Sequence, residues 1–265
     1  MIDLHCHILP GLDDGAPAMA DSVEIARRAA EDGTRTIVAT PHVREDHPYE
    51  LGEIEVRTRA VNARLEEEDV AVRVVPGAEV ALTRIADLDD SELAGVCLGQ
   101  GPYMLVESPY LPATALLEAA IDDLQERGFR PVLAHPERSP TFMGDRRRLA
   151  ALVERGVACS ITAGSMAGQF GGEVQRVTRS IFERGLVHNV ASDSHDPFAR
   201  PPILTEGFMA LDAELPGLLD AMAWFTQEVP AAIVAGEAVP AGSWPPPRQR
   251  RSWRRRAGGQ TNSDA

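Results

Sequence analysis

Short apolar, β-branched runs alternate with stretches of helical periodicity along most of this chain, and that alternation admits few folds. The strand-like runs fall at 2–6, 35–40, 70–75, 104–107, 131–134, 158–161 and 187–191, with helical patterns between them at about 18–32, 50–68, 113–127, 145–155 and 169–185. The first helical stretch has Asp21, Ser22 and Glu24 near its start and Gly33 just past its end, as capping chemistry predicts. Strand, helix and strand repeated in this way predict an α/β protein with parallel strands joined by right-handed crossovers. Seven short strands suit a small (β/α) barrel, although an open doubly wound sheet fits the pattern nearly as well. After residue 201 the pattern turns helical, and Pro201 and Pro202 suit a helix start. There is no internal repeat and no boundary before about residue 240. The expectation is therefore one domain over 1–240, followed by a disordered Pro- and Arg-rich tail over 241–265.

The chain has 265 residues, 44% of them hydrophobic and 25% charged, the balance of a globular protein with a sizeable core. It lacks an apolar run long enough to span a bilayer, and its opening MIDLHCH has no basic n-region or apolar h-region, so neither a transmembrane helix nor a signal peptide is expected. Cys6, Cys97 and Cys159 share no short spacing, so neither a disulfide framework nor a zinc knuckle is expected, and a reducing cytoplasm fits. The net charge is −14, and residues 248–265 carry six arginines and one aspartate, a net +5, so the rest of the chain carries −19. A body this acidic repels nucleic acid and suits a protein whose carboxylates hold cations. All 26 basic residues are arginine. That excludes a P-loop lysine, a Schiff-base lysine and a Ser–Lys dyad.

Function is most legible in where the metal-capable side chains fall. Of seven histidines, five stand at or just past the C-terminal end of an expected strand: His5 and His7, His42 in TPH, His135 in AHPER and His195 in SDSH. Glu79 in GAEV, Glu107 and Asp193 share that placement. In a parallel barrel those ends meet on one face, where active sites are built. Residues two apart on a strand point the same way, so His5 and His7 face one side and Cys6 the other. Imidazoles and carboxylates without thiolate favour Mn²⁺, Fe²⁺, Zn²⁺ or Mg²⁺. Eight or nine ligands are too many for one ion, so two or three clustered divalent metals are implied. Such clusters serve phosphate ester hydrolysis.

Taken singly, each residue has a plainer reading. A lone HxH is as often a hydrogen-bonded pair as a ligand pair. Asp13 and Asp14 in PGLDDG are typical turn residues, and Glu79 could be a solvated loop carboxylate. Glu107 is harder to dismiss, because an unpaired carboxylate ending an apolar strand is costly. The set persuades where its members do not. Arg138 and Arg200 lie in the same neighbourhood and are expected to hold phosphate oxygens through their guanidinium forks. A cysteine phosphatase is excluded, since none of the three cysteines is followed, past a short phosphate-cradling loop, by the required arginine. The glycines of GSMAGQFGG read as turns and a helix start. His188 stands at the wrong end of its strand and reads as structural, while His47 falls in a loop that could border the substrate entrance.

The segments MIDLHCHILPGLDDGA, TIVATPH, PGAEV, LVESPY, PVLAHPER, ITAGSMAGQFG and VASDSH, in this order over residues 1 to about 200, resemble the CpsB/CapC family of PHP-domain protein-tyrosine phosphatases from capsule and exopolysaccharide gene clusters. The resemblance implies a distorted seven-stranded (β/α) barrel of PHP type with a trinuclear, typically manganese-dependent centre. It also implies action on phosphotyrosines in the tail of a membrane-associated tyrosine kinase of polysaccharide export.

Carried onto this chain, the resemblance places one ion on His5, His7 and Asp193 with a bridging Glu107, and a second on Glu79, Glu107 and His135. The third falls to His42 and His195 with Asp13 or Asp14, of which Asp14 matches better. Arg138 and Arg200 match arginines used on the phosphate. Val43 stands where a second histidine often follows TPH, and the loop 45–49 differs. Substrate preference is thus less constrained than metal binding. Two rival readings remain: a PHP phosphatase of a small phosphomonoester such as histidinol phosphate, and a metal-bound scaffold without turnover. A phenolate leaving group, with a pKa of about 10, needs little proton assistance, so no general acid is named. The RQRRSWRRR tail could also touch an anionic membrane or an acidic partner.

Overall fold

A computed structural model describes residues 1–99, 101–111, 113–242 and 244. Among them nine strands run parallel: β1 (Ile2–Cys6), β2 (Thr36–Ala39), β3 (His42–Val43), β4 (Arg73–Pro76), β5 (Glu79–Val80), β6 (Tyr103–Glu107), β7 (Arg130–Ala134), β8 (Ala158–Thr162) and β9 (Asn189–Ala191). All seven expected strands are present. The two extra ones arise because the second and third strands of the barrel are each broken in two.

The breaks have local causes. Pro41 has no N–H to give to a ladder and separates β2 from β3. Gly77 follows β4 where even a methyl group would lie 2.9 Å from Val38 Cγ1 and 3.3 Å from Ala39 O, so only glycine lets the strands approach. The lower pieces join β1 in a sheet of order β1-β2-β4, and the upper pieces open a second sheet of order β3-β5-β6-β7-β8-β9. A bridge between Cys6 and Ser194, with His7 N–H donating to Ser194 O at 2.8 Å and Asp193 N–H to His5 O at 2.8 Å, joins the last strand to the first. The result is a distorted (β/α) barrel, and its seams carry His42, Glu79 and Asp193.

Five main helices match the expected crossovers: Met19–Glu31, Gly52–Glu67, Thr114–Glu126, Arg146–Glu154 and Gly172–Glu183. Their buried faces and the barrel strands form a continuous apolar core, in which Phe225 packs edge-on to Phe182 at 5.4 Å and to Trp224 at 4.7 Å. Truncating so central a ring to alanine costs about 3–5 kcal/mol.

Two local expectations are corrected. The first helix is capped by Ala18 without any side-chain hydrogen bond, so Asp21 and Ser22 sit inside its first turn. Pro201 and Pro202 precede the next helix without starting it. That helix is Thr205–Asp212, and its entry is fixed by Asp32, whose carboxylate accepts from Leu204 N–H at 2.7 Å and Thr205 N–H at 3.2 Å. A long-range cap of this kind leaves no local sequence signature. No described helix is long and apolar enough to cross a membrane. Most of the 241–265 segment lies outside the described residues, but Trp244 is described, and its indole N–H donates to Phe182 O at 3.2 Å.

Candidate metal centre

Strand β1 sets the first pair of ligand atoms. His5 and His7 share a face as period-two alternation requires, and their Nε2 atoms lie 3.1 Å apart. Cys6, on the opposite face, is fully buried, and its N–H donates to Thr40 Oγ1 at 2.9 Å. Asp3 lies on the same alternation and takes Ser192 N–H at 3.0 Å and Ser192 Oγ–H at 2.5 Å, tying β1 to the loop after β9. Burial pushes the Asp3 carboxyl upward.

Glu79 occupies the middle of the cluster and is completely buried. Its Oε2 lies 3.2 Å from His5 Nε2, 3.1 Å from His42 Nδ1 and 3.5 Å from His7 Nε2, and its Oε1 lies 2.8 Å from His135 Nε2. The central position is thus held by Glu79, whereas the bridging carboxylate was expected to be Glu107. Glu107 groups with His42 and Glu79 alone, and its Oε1 accepts from Arg44 Nη1 at 3.3 Å. The short β5 sets Glu79 beside His42, its ladder partner, and between β3 and β6, so one carboxylate reaches four imidazoles.

Asp13 and Asp14 separate cleanly. Asp13 Oδ2 accepts from His7 Nδ1 at 2.7 Å and from His42 N–H at 2.9 Å, while its Oδ1 accepts from Gly15 N–H at 3.0 Å. That bond anchors the Nδ1 side of the ring and turns Nε2, the nitrogen that would ligate, toward the cluster. Asp14 Oδ1 lies 3.6 Å from His42 Nε2 and 3.5 Å from His195 Nε2, at the open side of the site. His195 Nδ1 donates to Asp193 O at 3.0 Å, so its Nε2 is the free nitrogen.

Asp193 divides its two oxygens. Oδ1 lies 3.4 Å from His5 Nε2 and 3.6 Å from His7 Nε2, whereas Oδ2 accepts from Arg200 Nη2 at 2.7 Å and also from Arg138 Nη2. Asp193 and His135 both adopt left-handed backbone, with φ of 52° and 34°. For residues other than glycine such geometry costs about 1–3 kcal/mol each and concentrates at functional sites. Glu137 secures the turn between His135 and Arg138 by accepting from Thr162 N–H at 3.0 Å and Ser165 Oγ–H at 2.6 Å.

The electrostatics favour cation binding. Burial alone would raise the Glu79 and Asp193 carboxyls. For Glu79 the adjacent His5 and His135 imidazoles outweigh it, and for Asp193 Arg138 and His5 do so, so both stay well below the usual range. Burial lowers His42 to about 3 and, with the Arg138 charge, His135 to about 4, keeping both rings in the neutral form that ligates. Burial, then the Glu79 charge, lifts Glu107 to about 7. The buried Nδ1 of His135 has no hydrogen-bond partner among the described residues, and that of His42, although 3.1 Å from Glu79 Oε2, is not aligned for a hydrogen bond. Four groups of ligand atoms each fall within 4.8 Å: His7, Asp14, His42 and His195; His5, His7 and Asp193; His5, Glu79 and His135; His42, Glu79 and Glu107. The donor set fits a cluster of divalent cations.

All nine expected ligands and both arginines converge on this mouth. Sequence reasoning missed Asp3, Ser192, Arg44, Tyr110 and Phe170. Tyr110 stacks on His135 at 5.6 Å, and Phe170 lies under Arg138. Asp3 alone left a trace, by sharing the alternation of His5 and His7. His47 stacks on His42 at 5.6 Å and, with Arg44, Tyr49 and Arg84, lines a cavity of about 1010 Å³ beside the cluster. His188 lies apart from the cluster, its Nδ1 accepting from Cys159 N–H at 3.2 Å.

The profile of the family described as capsular polysaccharide synthesis, CpsB/CapC, matches residues 1–216. The chain is 39% identical over 216 residues to the tyrosine-protein phosphatase YwqE of Bacillus subtilis (strain 168), covering 81% of this chain and 85% of that protein. It is 28% identical over 217 residues to the tyrosine-protein phosphatase CpsB of Streptococcus pneumoniae, covering 78% and 88%. In three dimensions it resembles a chain from the crystal structures of YwqE and CpsB, described as unique metal-dependent tyrosine phosphatases. That match has a TM-score of 0.78 at 34% identity and covers 92% of this chain and 98% of the other. Dihydropyrimidinase from Brevibacillus agri NCHU1002 shares the fold alone, with a TM-score of 0.51 at 15% identity over 92% of this chain and 73% of its own.

Proposed function

Since this chain belongs to the CpsB/CapC family of capsular polysaccharide synthesis, we propose that it is a metal-dependent protein-tyrosine phosphatase whose site is the cluster around Glu79. The observation that carries the reading is the divided carboxylate of Asp193, which joins the metal-capable histidines to two arginine forks. Only a substrate group that is anionic and oxygen-rich needs both at once, and a phosphoryl group is that substrate.

His5, His7 and Asp193 would hold one cation, His5, Glu79 and His135 a second, and His7, Asp14, His42 and His195 a third, with Glu107 completing the set beside Glu79. Manganese suits these hard oxygen and imidazole donors. Bound there, the cations supply charge for the phosphoryl oxygens and an acidified water. The protein's part is to orient. Arg138 and Arg200 hold the non-bridging oxygens, Asp13 holds His7 in its ligating tautomer, and Tyr110 and His47 border the entrance. The natural substrate is the phosphotyrosine tail of a membrane-associated tyrosine kinase of polysaccharide export, met in the cytoplasm by the domain over residues 1–240.

The test is phosphate release from a phosphotyrosine peptide by protein stripped with chelator and resupplied with Mn²⁺. Hydrolysis only with metal, lost in His5→Ala, supports the reading. Faster hydrolysis of histidinol phosphate than of the peptide would move it to a small-molecule phosphatase. No turnover of either ester with metal bound would leave a scaffold.

A further inference from the structure

Arg138 and Arg200 come from different loops, after β7 and after β9, yet they share two anchors. One is Asp193 Oδ2, which accepts from both guanidinium groups. The other is the ring of Phe170, whose centroid lies 4.7 Å from Arg138 Cζ and 6.0 Å from Arg200 Cζ. We infer that Phe170 is the positioning residue for both arginines, a single aromatic plate that sets the planes of the two forks that receive the phosphoryl group. The inference rests on the phosphatase reading above.

Each guanidinium is held at one nitrogen, Arg138 Nη2 by Asp193 Oδ2 and Arg200 Nη2 by Asp193 Oδ2 and, at 2.9 Å, Asp193 O, and a group held at one nitrogen can still turn about it. A π face beneath the cation removes that freedom, because the ring's quadrupole attracts the flat face of the group. The need is real here, since the buried Nε atoms of Arg138 and Arg200 have no hydrogen-bond partner among the described residues. Among the described residues only Asp193 and Phe170 engage both guanidinium groups by ion pair, hydrogen bond or ring contact. The Tyr110 ring centroid lies 6.0 Å from Arg138 Cζ and serves that arginine alone.

Phe170 is itself held in place by its loop. Gly168 and Gly171 turn the chain with φ of 84° and 91°, Gly171 N–H donates to Gly168 O at 3.0 Å, and Gln169 N–H to Gly164 O at 2.9 Å. A methyl group on Gly164 would lie 3.2 Å from Phe170 Cε2, so the absence of a side chain there lets the ring settle. A core-filling role does not account for the ring. Phe170 is only half-buried and is not among the residues packed into the apolar core, while its contacts are with two cations.

The experiment compares Phe170→Leu and Phe170→Tyr in metal-loaded protein, measuring KM for a phosphotyrosine peptide, competitive inhibition by inorganic phosphate, bound metal and Tm. Loss of the ring should raise KM and weaken phosphate inhibition on the order of tenfold, with metal content and Tm unchanged. The tyrosine variant, which keeps the ring, should stay within about twofold. In an Arg138→Ala, Arg200→Ala background, Phe170→Leu should have no further effect on phosphate inhibition. Phosphate inhibition unchanged in Phe170→Leu, or lost equally in the tyrosine variant, overturns the inference. So does an equal loss with the arginines already removed. If the unsubstituted protein, loaded with metal, neither hydrolyses the peptide nor is inhibited by phosphate, the phosphatase reading fails first and this inference falls with it.

Discussion

His7 Nδ1 donates to Asp13 Oδ2 at 2.7 Å, and this bond leaves Asp14, of two adjacent aspartates, at the open side of the histidine cluster. Burial would raise the Asp13 carboxyl, but the His7 charge and three hydrogen bonds outweigh it and hold it at about 2. Asp13 is therefore an ionised acceptor that orients a ligand, and Asp14 is the carboxylate at the cluster's open side. Asp13→Ala should weaken metal binding about 10–100-fold, the usual cost of losing such a partner, while leaving the fold intact. Metal titration followed by circular dichroism checks both halves. Affinity equal to that of the parent would return Asp13 to a simple turn residue.

Glu79 and Glu107 should differ in kind. Glu79 approaches four imidazoles and Glu107 one, so Glu79→Gln should lower the number of tightly bound ions more than Glu107→Gln does. Elemental analysis after gel filtration measures it. The reverse order would restore the bridging role to Glu107.

Thiol chemistry should be irrelevant to turnover. Cys6, Cys97 and Cys159 are all buried, and burial pushes their thiols up, Cys97 to about 12, so little nucleophilic thiolate exists at neutral pH. Iodoacetamide should leave hydrolysis of a phosphotyrosine peptide unchanged, and chelator should abolish it. Inactivation by the alkylating agent, prevented by phosphate, would contradict the metal reading.

His188 gives a pH dependence separable from the metal centre. Burial holds its ring below the ordinary value of 6.5. As pH falls through about 6.5 the unfolded chain takes up a proton that the folded ring still refuses, so stability is lost on the acid side. Between about pH 7.5 and about pH 5.5 the Tm of the chelator-treated parent should fall more than that of His188→Asn, which lacks this titration. Parallel Tm curves for the two would remove His188 from the account of acid sensitivity.

The seven main strands and five crossover helices were readable because period-two and period-3.6 patterns report local burial directly. The breaks that create β3 and β5 were not. Pro41 and Gly77 are visible in the chain, but that Gly77 splits a barrel strand depends on Val38, Ala39 and Leu98 from other elements. The entry to the helix Thr205–Asp212 was hidden for the same reason, since its cap is Asp32 from another crossover.

At the site, the sequence by itself determined which metal-capable side chains come together. Parallel topology carries every strand's C-terminal end to one face, so His5, His7, His42, Glu79, Glu107, His135, Asp193 and His195 had to converge once the strands were placed. Which carboxylate stands in the middle, which aspartate supports His7, and how Asp193 and Phe170 share two arginines were decided only by the tertiary structure. Each depends on a direction and an ångström-scale distance between residues on different strands. A one-dimensional pattern records which side of an element a residue faces, but not what it meets there.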